Sequence, residues 1–188
     1  FGVHENTIFG GLIECEEMYT SGVQQILARY LEMILPGEVS WGEFLSWASE
    51  NENGGSNIIL ADYVANTVSE ESFERLKLNF SSEVTPLMDI VKIQGEYEEQ
   101  FKNIFSGLYL VEKITAEEIE KVSKVNIDFS AIVSFDGKTH IQNEGAFKVI
   151  GHNVKTGDDS GIIERNNRIS QLETEIEQLK VEQDDLTK

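Results

Sequence analysis

The sequence predicts an α/β (α+β) fold made of two pseudo-repeated α/β half-domains in tandem, followed by a single coiled-coil helix. Three observations predict it. The segment LIECEEMYTSGVQQILARYLEMIL (12–35) aligns with DIVKIQGEYEEQFKNIFSGLYLV (89–111) when Tyr19 is set on Tyr97, which places Val23 on Phe101, Ile26 on Ile104, Leu27 on Phe105 and Leu31 on Tyr109. Each copy then runs into a second helix with its own start signal. Last, the stretch GIIERNNRISQLETEIEQLKVEQDDL (161–186) carries apolar residues spaced three and four apart from Ile169 onward.

In order along the chain, each half opens on a short β-like run, Leu12-Ile13 or Ile90–Ile93, and turns through acidic residues into a helix. In the first half the apolar face of that helix is Tyr19, Val23, Ile26, Leu27 and Tyr30. A second β-run follows at once. The next helices, SWGEFLSWAS and TAEEIEKVSK, have N-caps at Ser40 and Thr115, with Glu43 and Glu118 at the capping-box position. Runs at 58–60 and 131–135 close the two units. The stretch SEESFERLKLNF predicts a helical connector. The expected division is half-domain I at 1–68, connector at 69–85, half-domain II at 86–160 and coiled-coil segment at 161–188.

The terminal seam comprises Ile162, Ile169, Leu172, Ile176, Leu179 and Leu186, with Gln183 as its polar interruption. A lone helix cannot bury such a seam, so it is either docked on its own domain or the end of a longer rod.

Composition narrows the function classes. With 188 residues and 40% hydrophobic content, the chain can bury a real core. Cys15 is the only cysteine, which excludes an intrachain disulfide and suggests a reducing compartment. No apolar run is long enough to span a bilayer, and FGVHENTIFGG lacks the regions of a signal peptide, so a cytoplasmic location is expected. The formal charge is −19; residues 1–100 hold 18 acids and 4 bases, and 101–188 hold 16 acids and 11 bases. Neither half is a basic platform, so tight sequence-independent DNA binding is not expected. The basic residues that do cluster in sequence are Lys138, His140, Lys148, Lys155, Arg165 and Arg168; a solvated face accounts for them better than a binding patch, since charge runs usually mean only that.

Catalytic and metal motifs are weak. DGKT (136–139) imitates the end of a phosphate-binding loop, but Ile132 stands where the loop needs its first glycine. Cys15 sits among acids that suppress its thiolate. The three histidines share no metal-ligand spacing with one another or with Cys15, and DDSG (158–161) lacks the spaced ligands of a calcium loop. No catalytic residue, metal ligand or cofactor is assigned to this chain.

The order LIECEEMYTSGVQQILARYLEMIL, NIIL, YEEQFKNIFSGLYLVEKITAEEI, IVSFDGKTHIQNEGAF and GIIERNNRISQLETEIEQL resembles the hinge domain of structural maintenance of chromosomes (SMC) proteins, with the closing segment nearer the bacterial pattern. The resemblance implies a dimerisation hinge, homodimeric or heterodimeric, that joins coiled-coil arms in a chromosome-handling ATPase. It implies that an antiparallel strand of the same chain covers the terminal seam, and that ATP and Mg²⁺ belong to distant heads. It further implies dimerisation through edge strands, where paired glycines let backbones approach. Here Gly137 and Gly145 match that pattern, whereas Glu144 replaces the first glycine of one pair and Val149-Ile150 replace the other. The candidate interface is therefore Gly137, Gly145, Ala146, Phe147, Val149 and Ile150, with Ile58 and Ile59 from the first half. The alternative makes Phe147, Val149 and Ile150 core residues. Candidate DNA contacts are Lys138, Lys148, Lys155, Arg165 and Arg168, and DNA contact is expected to be weak or indirect. The competing reading is a scaffold domain with a terminal coiled coil, unrelated to chromosomes.

Overall fold

A computed structural model describes residues 7–31, 34–35, 68–94, 101, 104–144, 146–152 and 161–186. Its centre is a five-stranded sheet in the order β4-β6-β7-β8-β9, with β4 at Val84–Pro86, β6 at Leu108–Val111, β7 at Ala131–Ser134, β8 at Thr139–Gln142 and β9 at Lys148–Gly151. Strands β6 and β7 are parallel, and every other neighbour pair is antiparallel. A parallel pair needs a crossover, and helix α4 (Ala116–Lys124) supplies it. That helix begins where TAEEIEKVSK predicts: Thr115 accepts from the Glu118 backbone N–H while the Glu118 carboxylate accepts from the Thr115 backbone N–H at 2.8 Å.

All of β6 and β7 is buried, because the sheet is covered on both faces. Alternation sorts their side chains between two cores. Leu108, Leu110, Ala131 and Val133 join a core built from α1 (Thr20–Ile26), Phe9, Leu87, Val91, Phe101 and Phe105. Tyr109, Val111, Ile132 and Ile141 join a second core with Leu76, Phe80, Val84, Val122, Ile127 and Phe129. Helix α2 (Glu70–Lys77), capped by Ser69, contributes Leu76 to that second core. The segment 69–85, expected as a connector, is thus packed into the second unit and supplies its strand β4.

Helix α1 buries the face its sequence predicts: Val23, Ile26 and Leu27 are buried, with Tyr19 and Tyr30 partly so. It lies close on the sheet at Gly22, whose backbone N–H donates to Phe135 O at 3.0 Å. A Cβ there would come within 2.8 Å of Ser134 O, which is why the residue is glycine.

Strand β2 (Ile13–Cys15) pairs antiparallel with β5 (Val91–Ile93), which follows the one-turn helix α3 (Leu87–Ile90). Strand β1 (Thr7–Ile8) pairs with β3 (Ile34–Leu35). Helix α5 (Ile162–Leu186) packs its first turns against β2, the 3-10 turn Phe9–Leu12 and α1. Ile163 is buried at its base, and Asn166 donates to Gly10 O at 2.7 Å.

Candidate association site

Strand β9 ends the five-stranded sheet and, among the described residues, pairs only with β8. Among the described residues its outer backbone groups meet no other strand, which is the arrangement that strand addition uses. The opposite edge, β4, is blunted by Pro86, which has no N–H to give. Along β9 Lys148 is exposed, Val149 is 46% exposed and Ile150 is half-buried. Gly151 is also exposed, and nothing lies within 4 Å of the position a Cβ would take. A second backbone can come closest there.

The candidate interface residues separate on this surface. Val149 and Ile150 lie on the free edge, and Ala146 is exposed in the loop before it. Phe147 is half-buried and packs against the second core. Gly137 is placed otherwise than the sequence suggests: it sits at φ +69° in the β7–β8 turn, with Ser21 O only 2.7 Å from its would-be Cβ. It is a turn and packing glycine, held under α1, and has no surface to offer a partner. In that turn Asp136 Oδ1 accepts from the Lys138 backbone N–H at 3.0 Å and from Ser134 Oγ at 2.6 Å, so DGKT is hairpin chemistry. Gly145, Ile58 and Ile59 lie outside the described residues.

Glu144, where the resemblance implies a glycine, is bound within its own chain. Arg29, just beyond α1, grips it through both terminal guanidinium nitrogens, with Nη1 at 2.7 Å from Oε2. The bond from Arg29 holds the Glu144 carboxyl below the usual range despite partial burial, and the same bond raises Arg29. Both side chains are about half exposed, at 49% and 46%.

The basic residues fall on different elements. Lys138 and Lys148 are exposed on the β-hairpin, where Lys138 pairs with Asp136 at 3.3 Å. Arg165 and Arg168 line an open groove of about 1120 Å³ beside Glu14, Glu16, Glu17, Asp89 and Lys92. Lys155 lies outside the described residues. In the same groove Cys15 is half-buried; burial raises its thiol above the ordinary value, with Glu16 adding to the effect, against hydrogen bonds from Thr20 and Asn167.

The second candidate surface is the seam of α5. Ile169, Leu172, Ile176 and Leu179 are 53%, 40%, 51% and 63% exposed, an apolar row with nothing packed on it among the described residues. Ile162 belongs instead to the helix base, against the first core. Leu186 completes the helix, continuing the heptad spacing.

No family model matches the sequence. A chromosome partition protein Smc from Halobacteriovorax marinus is 29% identical over 168 residues, 89% of this chain and 14% of that protein. The chain therefore spans about a seventh of the curated relative it matches. The Geobacillus stearothermophilus SMC hinge domain, solved as an asymmetric dimer, superposes with a TM-score of 0.68 at 14% identity, covering 92% of this chain and 67% of that one. The chain has the SMC hinge fold. The Pyrococcus furiosus Smc hinge domain with an extended coiled coil agrees, at TM-score 0.57 and 17% identity over 97% of this chain and 64% of that one. Both of these solved structures are SMC hinge domains.

Within the SMC hinge fold, the sequence reading missed Gly151 and Ile163. Gly151 closes a β-run without any turn signal, and Ile163 falls beside Ile162, off the heptad register; the open edge of β9 gives the first its role and the buried helix base the second.

Proposed function

We propose that this chain is the dimerisation hinge of an SMC-type chromosome condensation or segregation ATPase, joining two coiled-coil arms. The observation that carries the reading is the free edge of β9, which presents Val149, Ile150 and the open backbone at Gly151. A partner's edge strand would satisfy the unpaired groups and cover the apolar side chains, in an interface of about 1,200 Å² or more. The exposed seam from Ile169 to Leu179 suits an antiparallel strand of the same polypeptide. ATP and Mg²⁺ would act at distant head domains of the longer protein. DNA contact would be weak and salt-sensitive, through Lys138, Lys148, Lys155, Arg165 and Arg168, since the chain as a whole repels phosphate. The site of action would be the cytoplasmic nucleoid.

Sedimentation of the chain at tens of micromolar tests the association. A dimer is expected, and Val149→Glu should yield folded monomers, with the melting temperature lowered only by the lost association. A wild-type monomer, with no shift on adding a related hinge, would overturn the reading and favour a scaffold domain.

A further inference from the structure

Two histidines stand together on the edge hairpin, and neither has a role in the association just described. His140 is in β8, opposite Ile150. His152, one residue past β9, donates its backbone N–H to Lys138 O at 2.7 Å and so stands opposite Lys138. That register makes the histidines diagonal neighbours on one face of the hairpin. Their rings are 5.7 Å apart, with 33° between the planes. His140 is only 5% exposed, and Nε2 of each ring is buried without a hydrogen-bond partner.

An orphaned buried polar atom is costly, and proteins seldom leave two side by side without an occupant. Imidazole nitrogens ligate metal in their neutral form, and Zn²⁺, Cu²⁺ and Ni²⁺ take them readily. The negative charge of Glu144 reaches His140 and favours a cation there, partly offsetting Arg29. Among the described residues no three His, Cys, Asp or Glu side chains are gathered for a metal ion, so two imidazoles are what those residues offer.

We propose that His140 and His152 form a two-imidazole site for a borderline divalent cation, Zn²⁺, Cu²⁺ or Ni²⁺, that pins the open end of the β8–β9 hairpin. The site does not depend on reading the chain as a hinge.

Titration of the whole chain with Zn²⁺, and with Cu²⁺ followed by electron paramagnetic resonance, tests it. One equivalent should bind, the Cu²⁺ signal should carry coupling to two imidazole nitrogens, and Zn²⁺ should raise the melting temperature reversibly to EDTA. His152→Gln should weaken binding at least ~10-fold and remove one coupling, with its melt in EDTA unchanged. His140→Gln should do the same, and His4→Ala should change nothing. A Cu²⁺ signal without nitrogen coupling, or equal binding by His152→Gln, would overturn the proposal and leave a bridging water as the occupant.

Discussion

Glu14 and Lys92 stand opposite each other across the β2–β5 ribbon, and the alignment that sets Tyr19 on Tyr97 also sets Glu14 on Lys92. Equivalent strands of the two repeats therefore pair with each other, about a local two-fold passing between these residues. The ribbon is thus a seam between the two aligned segments.

That seam gives a first prediction. Ile13 is wholly buried beside Glu14, so Ile13→Ala should destabilise the fold by about 2–5 kcal/mol in denaturant unfolding. Glu14→Ala should cost roughly 1 kcal/mol or less, since it loses only the half-exposed bonds from Gln94 at 2.6 Å and Ser170 at 3.0 Å.

Acid should weaken the fold in two stages. His140, held near 4 by burial, stays neutral while the unfolded chain takes up a proton, so its contribution falls as pH drops from about 6.5 toward 4. Glu118 is also buried, which pushes its carboxyl up, but bonds from Ser81 and Thr115 outweigh burial and bring it down to about 2. A depressed carboxyl stabilises above its unfolded value and loses that stabilisation as pH falls from about 4.5 toward 2. Urea midpoints measured across this range should show both slopes, with Glu118→Gln removing the lower one and His140→Phe the upper.

The grip of Arg29 on Glu144 ties α1 to the β8–β9 loop, yet half-exposed ion pairs contribute little. A double-mutant cycle with Arg29→Ala and Glu144→Ala should return a coupling of about 1 kcal/mol or less. Values well above that would mean that the loop is held in place by this contact.

How far the sequence could be read follows from what pattern encodes. Periodicity locates a helix face, so Val23, Ile26 and Leu27 were legible, and the Thr115–Glu118 capping box was legible because its chemistry is local. Pattern does not say where a helix leaves its domain. The heptad spacing therefore drew Ile162 into the seam, although the base of α5 is buried there and the exposed row begins at Ile169. Nor does it rank glycines: Gly137 and Gly151 look alike on paper and differ only in what surrounds them.

Those two glycines allow the strongest test. At Gly137 a side chain meets positive φ and the Ser21 carbonyl at once, so Gly137→Ala should cost roughly 2 kcal/mol or more and lower the melting temperature. Molecules that remain folded should associate as the wild type does, because Gly137 itself is covered by α1. At Gly151 a side chain meets open space in an exposed strand, so Gly151→Val should leave the melt unchanged or slightly raised. Its branched side chain would nonetheless stand where a partner's backbone must come closest, and dimers should weaken. Sedimentation and thermal melts on both variants separate the two effects. Dimers of Gly151→Val as tight as wild type would place the close approach elsewhere than at β9, and a Gly137→Ala variant that melts normally but fails to associate would return that glycine to the interface.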